Sequence, residues 1–230
     1  MSAGGRAVPA GRRLAYPDPE LTDGVIRLRR WSERDVACVE AAATDERIPA
    51  GTTVPAVFTV EAGLAFVRRQ RSRLEQGEGL SLAVAEADGD EALGLAVLLL
   101  RPQPGVAGLG YWIVPAARRR GRATRAIELL SGWALCHAGI ARVEAWVDPG
   151  NEPSQCALAS AGFVREKRSR STTIRQNTIW RNPSPVAAAA LCAGERFRAL
   201  SISRMRSERV CAPGWPRTCC VFWNRNRWRR

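Results

Sequence analysis

The chain has 230 residues, enough for one domain with a sizeable core or for one domain and a tail. Nowhere do about 18 apolar residues follow one another, which excludes a membrane-spanning helix, and no apolar stretch of signal-peptide length opens the chain, so a cytoplasmic protein is expected. The net charge of +13 suggests a nucleic-acid binder until it is mapped: residues 1–166 hold 20 Arg, no Lys and 20 Asp and Glu, whereas residues 167–230 hold 15 Lys and Arg against only Glu195 and Glu208. The first 166 residues therefore have no net field to steer them onto a polyanion, and nucleic acid is not their expected partner.

Residues 1–19 are rich in Gly, Ala, Pro and Arg and read as a disordered lead. Val25 to Trp31 alternates well enough for a strand. Ser32 with Asp35 resembles a capping box, which predicts a helix over 33–44. Thr59 is a second cap, for a longer helix over 60–76 with Val60, Leu64, Val67 and Leu74 along one side; Gly77 and Gly79 close it. Leu80 to Glu86 and Ala92 to Leu100 are predicted strands joined by the turn Asp88-Gly89-Asp90. After a turn at Gly105, the apolar run Val106 to Val114 is a third strand. A helix over 123–138 follows and stops at Gly139. Ala141 to Val147 is a strand, Asp148-Pro149-Gly150 a turn, and 151–161 a short helix ended by Gly162. The order β-α-α-β-β-β-α-β-α implies an α/β fold. An antiparallel run followed by a βαβ crossover gives a mixed sheet with helices on both faces.

The segment Gly110 to Arg122 carries the most chemistry. An apolar strand stops at Pro115, a basic turn with one glycine follows, and a helix begins. Such a turn aims free backbone N–H groups at one point, where the helix dipole adds positive charge. Arg118, Arg119 and Arg120 strengthen that field. The turn reads as a seat for a pyrophosphate. It is neither a Gly-x-x-x-x-Gly-Lys-Ser/Thr loop nor a Gly-x-Gly-x-x-Gly turn. A solvated basic loop is the plain alternative.

The spacing Arg118-x-x-Gly121-x-Ala123 resembles the Arg/Gln-x-x-Gly-x-Gly/Ala signature of the GNAT acyltransferase superfamily. Asn151-Glu152-Pro153-Ser154, followed by Ala161-Gly162-Phe163, resembles that family's Asn-x-x-Ser/Ala…Gly-Phe segment. Thr22-Asp23-Gly24 and Gly110-Tyr111-Trp112 are most similar to the Rim-type branch, which includes N-terminal acetyltransferases of ribosomal proteins. The likeness covers residues 20–166. It implies the GNAT fold, with acetyl-CoA as co-substrate and no metal. It also implies transfer to an amine, a protein N-terminus or a small molecule, by direct attack on the thioester. It further implies a V-shaped opening between strands 106–114 and 141–147. Main-chain groups of Ile113 and Val114 would meet the pantetheine arm there, with an N–H near Ile113 facing the thioester oxygen. Amides of Arg119, Arg120, Gly121, Arg122, Ala123 and Thr124 would hold the pyrophosphate in the loop that Arg118 opens. Asn151 would lie beside the arm. Many relatives have a tyrosine seven residues after this Asn; Leu158 stands there and leaves that role empty, and Ser154, which matches a serine of the Rim-type branch, is the candidate acid that the resemblance implies. A serine that satisfies a helix start is its plain alternative. No general base is identified. Glu144 reads as a cross-strand partner and His137 as a capping or packing residue. With no Cys-x-x-Cys pair and one histidine, zinc is not expected and the seven cysteines are expected free.

After Glu166 the likeness stops where two more strands are due. Four of the eight Trp and four of the seven Cys fall in residues 167–230. This stretch is expected to be a disordered tail, either an out-of-frame translation or a basic appendage binding nucleic acid through Arg and stacked Trp. On that reading the strand 141–147 becomes a sheet edge, and activity of this chain is in question. The alternatives to an enzyme are a non-catalytic acetyl-CoA-binding module and a nucleic-acid-binding module that uses the tail.

Overall fold

The computed structural model describes residues 14–166 and 178–182. The strands in chain order are β1 (Leu21–Thr22), β2 (Ile26–Arg29), β3 (Gly79–Glu86), β4 (Ala92–Leu100), β5 (Val106–Ile113), β6 (Arg142–Val147), β7 (Val164–Arg165) and β8 (Thr178–Arg181). They form one sheet ordered β1-β2-β3-β4-β5-β6-β8-β7. Only β5 and β6 run parallel; every other neighbouring pair is antiparallel. The helices are α1 (Val36–Ala43), α2 (Arg47–Gly51), α3 (Val60–Ser72), α4 (Arg122–His137) and α5 (Glu152–Ser160). This is the mixed α/β architecture expected from the sequence.

Both faces of the sheet are covered, because successive strand residues point to opposite sides. Trp112 of β5 meets Phe66 of α3 and Trp31, with ring centroids 6.3 Å from each. Its neighbour Tyr111 reaches α5 on the other side. The α4 helix packs across β2, β4, β5 and β6. It buries Ala126, Ile127, Leu130 and Ala134, a helical i, i+1, i+4, i+8 stripe.

Local capping explains two helix starts. Thr59 accepts from the Ala62 amide at 3.1 Å to begin α3. Before α1, the Asp35 carboxylate accepts from the Ser32 amide at 2.8 Å and from the buried Arg29 guanidinium at 2.7 and 2.8 Å. The inner face of α3 differs from the expected one. Gly63, Phe66, Val67 and Gln70 are buried, whereas Val60 is 64% exposed. Gly63 allows this: a Cβ there would lie 2.9 Å from Phe58 and from Val36, so the small residue sets which face approaches α1.

The end of the sheet corrects one expectation. Past Glu166, Thr178-Ile179-Trp180-Arg181 forms β8, and it pairs with Glu144–Val147 of β6. The β6 strand is therefore not the sheet edge. The physical reason is a short β-branched and aromatic run whose alternate residues, Thr178 and Trp180, are buried. The flanking charge hid it in the sequence. In place of a long final pair there are strands of two and four residues. Residues 167–177 and 183–230 lie outside the described residues, as does the question of an out-of-frame tail; so do residues 1–13 of the expected disordered lead. Tyr16 is described, with the Arg30 guanidinium 4.1 Å from its ring centroid. No helix among the described residues is long and apolar enough to cross a membrane.

Candidate active site

The site is built around β5. On one side its residues Ala107–Ile113 pair with β4 without a break, and the Val114 N–H extends that ladder to the Leu93 carbonyl at 2.8 Å. On the other side only Val106–Leu109 pair with β6, at Arg142–Ala145. Beyond that point Trp146 and Val147 pair with β8 alone. The two parallel strands part after Leu109 and Ala145, and a V-shaped gap opens. Hydrogen-bonded residues alternate in an antiparallel ladder. With Val114 bonded to β4, the main-chain groups of Tyr111 and Ile113 turn into the gap. Of the two residues proposed for the arm, Ile113 offers its N–H there and Val114 does not.

A turn over Pro115–Ala117 leads from β5 to the loop. Arg119 and Gly121 both have positive φ, 61° and 72°, and such alternation turns consecutive N–H groups toward one point. The Arg118 amide donates to Pro115 and the Arg125 amide to Gly121. Between them the amides of Arg119, Arg120, Gly121, Arg122, Ala123 and Thr124 meet no protein acceptor among the described residues. Gly121 is the N-cap of α4 and has no side chain to cap it. A Cβ built on Gly121 meets nothing within 4 Å, so the space above the loop is open. Six free donors, an open glycine and a helix start fit a pyrophosphate.

The four arginines of the loop divide into two kinds. Arg119 and Arg120 are exposed. Arg122 is buried; it donates to the Ala117 carbonyl at 3.1 Å and pairs with Glu86 of β3. Arg118 turns away from the seat. Its Nε donates to the Ile113 carbonyl at 2.9 Å, and its Nη1 lies 2.5 Å from Asp45 Oδ2. Two of the charges thus hold the loop, which spacing alone could not separate from ligand contacts.

Across the gap, Asn151 is the N-cap of α5, and its Oδ1 accepts from the Ser154 amide at 3.2 Å. Asn151 therefore caps the helix through its side chain, and the Ser154 hydroxyl is directed elsewhere. Ser154 Oγ lies 2.6 Å from the Tyr111 hydroxyl, which donates to the Ser154 carbonyl at 3.0 Å. With the phenol proton so placed, the serine hydroxyl donates to the Tyr111 oxygen. Burial pushes the Tyr111 phenol up to about 12, against the opposing effect of the Ser154 hydrogen bond. Tyr111 is thus a neutral donor throughout the physiological range.

The matching family model is the acetyltransferase (GNAT) domain, over residues 26–164. The chain belongs to the GNAT acetyltransferase family. It is an N-acetyltransferase. Probable N-acetyltransferase YjcK of Bacillus subtilis (strain 168) is 28% identical over 132 residues, 56% of this chain and 72% of that protein. A putative ribosomal-protein-serine acetyltransferase from Vibrio cholerae superposes with a TM-score of 0.62 at 19% identity, covering 73% of this chain and 98% of the other. The microcin C7 self-immunity acetyltransferase MccE, solved with acetyl-CoA and AMP, gives 0.59 at 16% identity, covering 70% and 92%.

Within this GNAT domain, Tyr111 and Asp45 are the site residues that sequence reasoning missed. Tyr111 stood within the quoted Gly-Tyr-Trp run, but its partner lies 43 residues away. Leu158, at the position where many relatives have a tyrosine, is fully buried. Glu144 is 7% exposed, with the Arg142 and Arg181 guanidinium groups 2.9 and 3.1 Å from its Oε1; it joins neighbouring strands. His137 is exposed at the end of α4. Cys38 is a buried free thiol, whereas Cys136 is disulfide-bonded, against the expectation for every cysteine. Spacing does not show which cysteines fold together. No cluster of His, Cys, Asp and Glu able to hold a metal occurs among the described residues.

Proposed function

We propose that this chain transfers an acetyl group from acetyl-CoA to a primary amine, with a protein N-terminus as the first choice of acceptor and a small-molecule amine as the second. The observation that carries the reading is the coincidence of the two features at one strand end. The β5–β6 ladder stops after Leu109, and the loop that leaves β5 presents six consecutive amides. Bound acetyl-CoA supplies an acetyl thioester that an amine can attack directly. The amides of Arg119 to Thr124 hold the pyrophosphate, with Arg119 and Arg120 adding positive field. The gap-facing main chain of Tyr111 and Ile113 lines the arm much as a neighbouring strand would. The Ile113 N–H is the donor for charge that develops on the acyl oxygen.

Ser154 is the group that passes a proton to the leaving sulfur: its hydroxyl turns from the Tyr111 oxygen to the thiolate, the proton shed by the attacking amine replaces it, and Tyr111 keeps the serine in place. The phenol binds both the carbonyl and the hydroxyl of Ser154, which ties the start of α5 to β5 across the gap. Asn151, by capping α5, sets the height at which Ser154 enters. That RimL, a ribosomal L7/L12 alpha-N-protein acetyltransferase, shares the fold supports a protein N-terminus as the first choice of acceptor.

The test is a screen of N-terminal peptides, polyamines and aminoglycosides with acetyl-CoA, reading free CoA. Turnover on at least one peptide is expected, together with thermal stabilisation by acetyl-CoA that grows with its concentration. Stabilisation without turnover on any amine would leave an acetyl-CoA-binding module. Absence of stabilisation would remove the cofactor reading altogether.

A further inference from the structure

Arg118 opens the signature that reads as a cofactor loop, yet its side chain points away from the six free amides. It spans two other elements. At one end Nε closes on the Ile113 carbonyl, the last main-chain acceptor of β5 on the gap side. At the other end Nη1 meets Asp45 in the turn between α1 and α2. Asp45 is itself built in: its Oδ1 accepts from the Arg47 amide at 2.9 Å, and the Ile48 amide donates to the Asp45 carbonyl at 3.0 Å. The α2 helix then leads through Thr52, whose hydroxyl donates to the Ile48 carbonyl at 2.6 Å, to the buried Val54. One guanidinium thus joins the phosphate seat, the end of β5 and the 45–54 wall.

We propose that Arg118 is a positioning residue that couples filling of the amide seat to the order of the wall formed by residues 45–54. The inference rests on the cofactor reading above. Its physical basis is preorganisation. The loop residue next to Arg118 holds a positive φ without being glycine, Arg119 and Arg120 are exposed, and between the anchors Arg118 and Arg122 the loop amides have no acceptor among the described residues to fix them. An anion bound to the amides fixes the loop and, with it, the Arg118 backbone. Less side-chain freedom is then left to lose when the guanidinium holds Asp45. Burial opposes ionisation of Asp45, but the Arg47 amide and the Arg118 guanidinium outweigh it and hold its carboxyl below the usual range. The pair is therefore charged at neutral pH. By reciprocity, whatever steadies the wall also tightens acetyl-CoA.

Hydrogen exchange on the full chain, with and without saturating acetyl-CoA, tests the coupling. Protection should appear at 119–125. A second zone at 46–54 should slow by roughly two- to fivefold, the range that a partly exposed ion pair can transmit. In Asp45→Asn the second zone should disappear while the first remains. The asparagine oxygen can still accept from the Arg47 amide, so that turn bond survives and only the charge pair is lost. Asp45→Ser, whose hydroxyl can accept the same turn bond, should behave alike, and unchanged exchange at 46–54 in the ligand-free variants will show that the wall still folds. Protection at 119–125 alone in the wild type would overturn the coupling and leave the cofactor reading intact. Equal protection of 46–54 in wild type and both variants would overturn the role of Arg118. No protection at 119–125 would overturn the cofactor reading and this inference with it.

Discussion

The two long sides of β5 follow opposite rules. Toward β4 the strand keeps seven consecutive register pairs, and Val114 adds one more bond. Toward β6 it keeps four and then stops. The closed side satisfies every main-chain group within the protein. The open side leaves the main-chain groups of Tyr111 and the Ile113 N–H facing a gap, and unpaired strand groups are a template for whatever extended chain can bond to them. A strand can therefore serve as scaffold on one edge and as binding surface on the other, provided its partner diverges part-way along.

Two glycines place this difference within reach of experiment. Gly94 lies on the closed side, where a Cβ would stand 2.1 Å from the Trp112 carbonyl oxygen. Gly94→Ala should destabilise the fold by roughly 3 kcal/mol, at the upper part of the overpacking range. Denaturant unfolding will show it as a lowered midpoint with an unchanged slope. A shift below about 1 kcal/mol would mean that the β4–β5 ladder yields more easily than its register implies.

On the open side the largest effect should fall on turnover. Ser154→Ala should lower kcat about 100-fold, at the lower end of what a positioned acid contributes, with acetyl-CoA affinity nearly unchanged. Tyr111→Phe should share part of that loss and also reveal the phenol in stability. Its folded value, about 12, lies above the ordinary 10. The protonated form is thus favoured in the folded state, and the contribution is complete below pH 10 and lost as pH rises through 12. Wild type should lose about 2–3 kcal/mol over that window relative to Tyr111→Phe, from two units at 1.36 kcal/mol each. Parallel alkaline unfolding curves for the two proteins would argue against a buried Tyr111–Ser154 pair.

Gly121 is the open-side counterpart of Gly94. Its φ of 72° is costly for any residue with a Cβ, yet no protein atom lies within 4 Å of that Cβ. Gly121→Val should weaken acetyl-CoA by about 10- to 30-fold, from strain of roughly 1–2 kcal/mol added to obstruction of the seat, while the fold survives. Calorimetry on the folded variant measures it, and an unchanged Kd would refute the phosphate seat.

The smallest effect belongs to β8. Glu144→Gln should cost about 0.5–1 kcal/mol, since Arg142 and Arg181 are partly exposed, and should leave kcat within twofold. Amide exchange at 178–181 will show whether β8 stays on β6. Protection there as strong as in β5 is expected, and none would restore β6 to the edge.

Much of the molecule was legible from local pattern. The strands 79–86, 92–100 and 106–113 announce themselves because they are nearly continuous apolar runs between turn signals. The loop was legible because glycine and a helix start carry their chemistry in the backbone, where sequence order and spatial order coincide. The gap at Ile113 came through the resemblance, and so did the choice of Asn151 and Ser154 as candidates.

Side-chain destinations needed the tertiary structure. Arg118, Arg119, Arg120 and Arg122 are alike in sequence, yet the fold sends Arg118 to Asp45, Arg122 to Glu86, and the other two outward. Tyr111 finds Ser154, and β8 finds β6, across long stretches of chain. By itself the sequence determined the longer helices and strands and where the backbone presents free donors, because those properties are set within a few residues. Only the tertiary structure decided which charges meet, which hydroxyls pair and where the sheet ends. Those depend on distances that close only when remote segments pack, and their energies, of order 1 kcal/mol each, are too small to leave a mark on local composition.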